Sequence, residues 1–231
     1  MTDVDGTLTD EDGSLNAAAG EAVRRLEGQG ITVGLVSGRE LPSLDALAQH
    51  LGISGPIIAE NGGVARMKPG SEPLDLGYSR QPALEVLERL KKLFPGAIRE
   101  REDNAERLVD VVFFADGVTH KELKQYLGDI QYYDSGYVLH LMQPGISKGT
   151  TLIRLLADLG DVSAATTIVF GDSPTDISLF KLFPYSVLIP NPRLPAEHRQ
   201  EMQRVARYVS DLPCGEGFAQ VAFHIADACS G

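Results

Sequence analysis

No apolar run in this 231-residue chain approaches the roughly 20 residues that span a bilayer, and no basic start followed by an apolar stretch marks a secretory leader. A cytoplasmic protein with no membrane partner is expected. Cysteine is scarce. Cys214 and Cys229 are too few for a disulfide framework, and their spacing suits neither a zinc site nor a redox pair, so both are expected to be reduced and incidental. Basic charge is also short, with 21 Lys and Arg against 32 Asp and Glu and a formal net charge of −11. That balance speaks against nucleic acid or an anionic membrane surface as a partner. Any anionic ligand must find local positive charge, from a metal, Lys148, Arg39 or backbone N–H groups.

What the chain does contain is a strand and helix alternation that changes once. From Asp3 to about Met67 it reads strand, helix, strand, helix, strand. Ser14 is placed to cap a helix carrying Leu15, Ala18, Ala22, Val23 and Leu26 on one face. Ile31 to Val36 is a nearly continuous apolar run, as in a parallel strand buried on both sides. A helix over Leu41 to Leu51 leads to a strand at Pro56 to Glu60. Between about Gly77 and Pro144 the order becomes helix, strand, strand, helix, strand, strand. It has Leu84, Leu87, Leu90 and Leu93 in helical register over Pro82 to Phe94, and a strand pair across Ser135-Gly136. The alternation returns with a helix over Ser147 to Leu159, a strand over Thr166 to Phe170, a helix over Asp176 to Leu182 and a short strand over Ser186 to Ile189. An amphipathic helix from Ala196 and a last helix from about Gly217 to Ala228 follow. The expected fold is α/β, a doubly wound, mostly parallel, Rossmann-like sheet, with an inserted α+β module. The expected division is a core of residues 1–76 and 145–231 and an insert of residues 77–144.

The chemistry-bearing residues lie where such sheets bind ligands, beyond the carboxyl ends of the strands. Asp3-Val4-Asp5-Gly6-Thr7-Leu8 places two carboxylates at a strand end that breaks at once into a Gly loop. Ser37-Gly38-Arg39 follows an apolar run. Lys148 opens a helix, where a cation opposes the positive end of the helix dipole. Gly171-Asp172-Ser173-Pro174-Thr175-Asp176 follows another apolar run, and Gly171 permits close backbone approach. Glu60-Asn61-Gly62-Gly63 reads as a tight turn into a hairpin, with Asn and Gly supplying positive φ.

These four strand-end segments, in this order, resemble the haloacid dehalogenase superfamily of phosphohydrolases. The insert lies where its type-two, Cof-like cap lies. Tyr133-Asp134-Ser135-Gly136-Tyr137-Val138-Leu139-His140-Leu141-Met142, together with Val209-Ser210-Asp211 and Gly215-Glu216, is most similar to the archaeal-type phosphoglycolate phosphatase branch. The resemblance implies Asp3 as a nucleophile that becomes an aspartyl phosphate and Asp5 as the acid and base. It implies Ser37, the Gly38 N–H and Lys148 on the phosphoryl group, and Asn61 on the substrate. A carboxylate attacking a phosphate dianion needs a hard cation, and Mg²⁺ fits, ligated by Asp3, the Asp5 carbonyl, Asp172 and, directly or through a neighbour, Asp176. In the cap, Arg107 and His140 are the substrate-binding candidates. The ordinary alternatives are a solvated charge for Arg107 and a partly buried core or surface histidine for His140. Alternation puts His140 on one face with Val138 and Met142.

A small phosphorylated substrate is therefore the expected partner, with a homodimer left open. Rival readings are a sugar-phosphate or mannosyl-phosphoglycerate phosphatase, a phosphomutase, and a non-catalytic sensor of a phosphorylated metabolite. A docking module using the cap's sheet face has no positive signal. One departure from the family pattern stands at the start. Only Met1-Thr2 precede Asp3 where the family carries a full apolar strand, which leads us to expect either a misassigned start or a stunted central strand and a weakened core.

Overall fold

The structure is a computed structural model and describes residues 1–135, 138–160 and 162–229. Gly136 and Tyr137, through which the sequence expects a turn and the start of a strand, lie outside the described residues. In chain order the elements begin with α1 (Ala17–Gly28), β1 (Leu35–Val36), α2 (Leu41–Leu51), β2 (Ile57–Ala59) and β3 (Val64–Arg66). An insert follows with α3 (Gln81–Leu93), β4 (Ile98–Glu100), β5 (Val111–Ala115), α4 (His120–Lys124), β6 (Gln131–Asp134) and β7 (Leu139–Met142). The chain then returns through α5 (Lys148–Asp158), β8 (Ile168–Gly171), α6 (Ile177–Leu182), β9 (Tyr185–Leu188), α7 (Ala196–Val205), β10 (Tyr208–Val209) and α8 (Cys214–Cys229).

The core sheet has two halves, β3-β2-β1 and β8-β9-β10, joined by Thr2, which bridges in parallel to both Leu35 and Phe170. Every pairing in it is parallel except the β2–β3 hairpin. Successive strand residues point to opposite faces. Leu35, Ile57, Phe170 and Val187 therefore join one core under α1, α2 and α8, while Val36, Ile58, Val169 and Leu188 join a second under α5, α6 and α7. This is the doubly wound, Rossmann-like arrangement the sequence predicts. The insert is an antiparallel sheet of order β4-β5-β7-β6 with α3 and α4 packed on one face. It has its own core around Phe113, Leu87, Leu90, Leu123 and Leu141. Among the described residues no helix is long and apolar enough to cross a membrane.

The central position of the sheet is held by very little chain. The Met1 amine donates to the Ile168 carbonyl at 2.9 Å, Thr2 N donates to Gly34 O, and Asp3 N donates to Phe170 O. An apolar cavity of about 530 Å³ lies beside Met1, between Val33, Pro56, Leu156, Ile168 and Phe218. Val36 N donates in turn to Thr2 O and Phe170 N to Met1 O, so the two residues before Asp3 are laddered to both halves of the sheet.

Several expected boundaries move for local reasons. Ser14 does not cap α1, because it bonds to Asp12 in a turn, and Asn16 takes the role by accepting from Ala19 N at 3.0 Å. Leu15 consequently lies outside the helix and is exposed. The expected strand from Ile31 shrinks to Leu35–Val36, because the Ile31 N–H turns back to the Leu26 carbonyl and the Val33 N–H to the Glu27 carboxylate. Leu93 keeps its helical register yet is 45% exposed, beyond the edge of the insert's core. The last helix begins three residues early, at Cys214, and the edge strand β10 has no counterpart in the sequence reading.

Packing density decides which of these side chains matters. Phe113→Ala in the insert is expected to lower unfolding free energy by about 3–5 kcal/mol, whereas Leu93→Ala stays within about 0.5 kcal/mol. Urea unfolding of the two variants checks both values.

Candidate active site

Four strand ends converge. Asp3 follows Thr2, Ser37 follows β1, a 3-10 turn of Glu60–Gly62 follows β2, and Asp172 follows β8. Lys148 joins them as the first residue of α5, whose N-cap is Ser147. They open on a cavity of about 460 Å³ whose floor includes Asp3, Asp5, Ser37, Gly38, Asn61 and Lys148 and whose far wall includes Arg101, Arg107, Val138 and His140 from the insert. That volume suits a small ligand.

Lys148 is 1% exposed, and its Nζ lies 3.1 Å from Asp3 Oδ1 and 2.7 Å from Asp176 Oδ1. A buried ammonium is tolerated only when paired. Burial acts to depress its pKa, but Asp176 and Asp3 outweigh that and raise it. Carboxylate oxygens of Asp3, Asp172 and Asp176, all buried, lie within 4.8 Å of one another. Three carboxylates against one ammonium leave an excess of negative charge that the protein does not balance locally. Burial pushes the Asp3 carboxyl up to about 7, with Lys148 pulling it down and Asp176 and Asp5 pushing it further up. Asp172 is raised well above its ordinary value by burial, Asp3 and Asp176. An all-oxygen donor set with surplus negative charge suits a hard divalent cation.

The surroundings hold these groups still. Asp172 accepts from Asn191 Nδ2 at 2.6 Å and from the Thr7 hydroxyl at 3.4 Å. Asp176 Oδ2 accepts from the N–H groups of Asp172 and Ser173, leaving Oδ1 for Lys148. Gly171 allows this, since a Cβ there would collide with the Asp176 side chain. Gly6, at φ +79°, turns the loop between Asp5 and Thr7 and would strike Asp172 and Asn191 if it carried a Cβ.

Asp5 faces away from the cluster. Both of its oxygens accept from Arg39, Nε at 2.9 Å and Nη2 at 2.5 Å, in a partly exposed fork. Its side chain is thus available at the cavity but is not a member of the carboxylate group.

On the insert side, Arg107 and His140 are not the solvated or surface groups that are ordinary for such positions, being 4% and 3% exposed. Arg107 Nη1 donates to Asp110 Oδ2 and to the Gly38 carbonyl, each at 2.9 Å, and Nη2 donates to Asp103 at 3.0 Å. His140 Nδ1 lies 2.6 Å from the same Asp110 oxygen and 3.2 Å from Asn61 Nδ2. As alternation predicts, His140 points away from α3 and α4, while Leu139 and Leu141 enter the insert's core.

Glu60 is fully buried at φ +52° and accepts from the N–H groups of Leu108, Val109 and Asp110 at 2.8 to 2.9 Å. It ties the β2–β3 hairpin turn to the chain entering β5. Burial raises its pKa, with the three N–H bonds pulling the other way. Every site residue read from the sequence lines the cavity except Asp172 and Asp176, which belong to the buried carboxylate cluster beside it. Two further groups, Asp110 and Asn191, went unread, and Glu60 and Arg39 were read only as a turn residue and as local positive charge. Asn191, held between Pro190 and Pro192 after β9, stands at a strand end that would have drawn attention.

A carboxyl whose pKa is raised by folding binds its proton more tightly in the folded chain than in the unfolded one. Its stabilising contribution is present below the ordinary 3.8 and is lost as pH climbs toward about 7. Thermal melts of the metal-free protein should therefore fall across that interval, Asp3→Asn should flatten the fall, and a bound divalent cation should reverse it.

A family profile described as haloacid dehalogenase-like hydrolase matches residues 1–106 and 96–221. A phosphoglycolate phosphatase of Methanoculleus marisnigri is 33% identical over 226 residues, covering 95% of this chain and 93% of that protein. One of Thermoplasma volcanium is 31% identical, covering 96% and 95%. The crystal structure of a Thermoplasma acidophilum protein superposes with a TM-score of 0.83 at 29% identity, covering 96% of this chain and 95% of that one. A subclass IIB sugar phosphatase superposes at 0.76 with 16% identity, covering 97% of each chain, a likeness of fold. With the profile spanning most of the chain and the strand-end carboxylates in place, the protein belongs to the haloacid dehalogenase-like hydrolases, as a phosphatase of that family.

Proposed function

We propose that the chain is a Mg²⁺-dependent phosphatase that hydrolyses 2-phosphoglycolate to glycolate and inorganic phosphate through an aspartyl phosphate on Asp3. The observation that carries the reading is the buried Asp3 carboxylate, 3.1 Å from Lys148 Nζ, at the base of a cavity shared with Asp5 and Ser37. The phosphoglycolate phosphatases similar to this chain over nearly its whole length support the substrate. In this reading residues 1–76 and 145–231 form the catalytic core, and residues 77–144 form a cap that chooses the substrate.

Asp3 attacks phosphorus as the bond to the glycolate oxygen breaks, and Asp5 gives that oxygen its proton. Asp5, now ionised, takes a proton from the water that attacks the aspartyl phosphate. The bond between phosphorus and Asp3 breaks, phosphate leaves, and Asp5 is returned to its starting form. The Ser37 hydroxyl, the Gly38 N–H and Lys148 donate to the phosphoryl oxygens throughout. Asp3, Asp172, Asp176 and the Asp5 carbonyl would hold the Mg²⁺, which neutralises phosphoryl charge and keeps the neighbouring carboxylates ionised. Asn61, Arg107 and His140 receive the rest of the substrate.

Phosphate release from a panel of small phospho-acids and sugar phosphates tests this. The expected result is the highest kcat/KM on 2-phosphoglycolate, loss of activity on chelation, and a fall of more than about 10³-fold in Asp3→Asn. Best activity on a sugar phosphate would keep the chemistry and discard the substrate. Undiminished release by Asp3→Asn would contradict the mechanism.

A further inference from the structure

Asp110 is completely buried behind Arg107, His140 and Asn61 in the wall of the catalytic cavity, and one oxygen carries its contacts. Oδ2 meets Arg107 Nη1 at 2.9 Å, His140 Nδ1 at 2.6 Å and Asn61 Nδ2 at 3.5 Å, while Oδ1 has no partner among the described residues. Buried ion pairs are weak devices for stability, since desolvation offsets much of their attraction. This one sits where two surfaces of the protein must be kept in register. Arg107 also donates to the carbonyl of Gly38, the residue after Ser37. The geometry of the insert is thereby fixed against the loop that receives the phosphoryl group.

The cations on this wall are mostly committed. Arg39 forks onto Asp5, Arg101 faces Asp103 at 3.0 Å, and Arg107 lies between Asp103 and Asp110. His140 differs. A carboxylate beside Nδ1 fixes that nitrogen as a donor, and Nε2, the ring's other nitrogen, has no hydrogen bond among the described residues in a side chain that lines the cavity.

We propose that Asp110 is a positioning residue for substrate choice. It holds His140 so that Nε2 takes the carboxylate at the far end of a phospho-acid. This deepens the phosphoglycolate reading and rests on it. The network discriminates by charge at the far end.

The test compares 2-phosphoglycolate with ethyl phosphate, which carries a methyl group in place of the carboxylate, in wild type, Asp110→Asn, His140→Gln and the double variant. His140→Gln and Asp110→Asn should each lose about 10- to 100-fold on the acid, the worth of one charge-assisted hydrogen bond. The loss should lie mainly in KM, with ethyl phosphate unaffected. The double variant should match His140→Gln, because a residue acting through another adds nothing once that other is gone. If Asp110→Asn does not fold, Asp110→Glu, which keeps the charge and displaces the oxygen, must lose the acid preference in the same way. An equal fall on both esters, additive losses, or a retained preference in the Asp110 variants overturns the proposal while leaving the phosphoglycolate reading intact. A wild type without acid preference overturns both, and is recognised before any variant is made.

Discussion

One buried ammonium organises this molecule. Lys148 Nζ is buried and draws on Asp3 and Asp176, which arrive from the first and the later parts of the chain. The pairing closes the sheet's two halves over a common point. Asp3 reaches it because Thr2 is laddered to both Leu35 and Phe170, and Asp176 reaches it because Gly171 has no side chain in the way. Asp172 then adds a negative charge that Lys148 does not balance, and the cluster becomes a place that favours either protons or a hard cation. Fold and site thus rest on one electrostatic constraint, a buried ammonium shared by carboxylates whose excess charge favours a proton or a hard cation.

The insert is bound to that centre by polar contacts as well as by apolar ones, since Val109 and Met142 join the sheet's core. Its own core is separate, around Phe113 and Leu87. What joins it to the sheet at the cavity is Glu60 on three successive N–H groups, Arg107 on the Gly38 carbonyl and Asn61 beside His140. Hydrogen bonds are directional where apolar contact is not. Such a junction sets the distance and angle of the cavity wall more tightly than packing alone.

Asp3, Ser37, Lys148 and Asp172 were legible because each stands at a strand end or a helix start, and local periodicity fixes those positions. The same logic placed Leu41 to Leu51 at its observed limits and put His140 on the open face of its sheet. It failed where a side chain competes with the ladder. Glu27 takes the Val33 N–H and shortens the expected strand, and Asp12 takes Ser14 and moves the helix cap to Asn16. Asp110 was illegible for a different reason. An acidic residue flanked by Val109 and Val111 reads as an edge or solvent position, and only the three-dimensional approach of Arg107 and His140 gives it a buried role. The two residues before Asp3, read as either a misassigned start or a stunted strand, pair with both halves of the sheet through the bridges of Thr2.

The claim that most depends on this account is that the acids around Lys148 hold protons which a divalent cation displaces. Calorimetric titration of Mg²⁺ into the protein in buffers of different ionisation enthalpy measures that exchange directly. At a pH well below the value of about 7 to which burial raises Asp3, binding should release protons, and the release should fade in more alkaline buffer and in Asp3→Asn. Binding with no proton release at either pH, or no binding at all, would contradict the account.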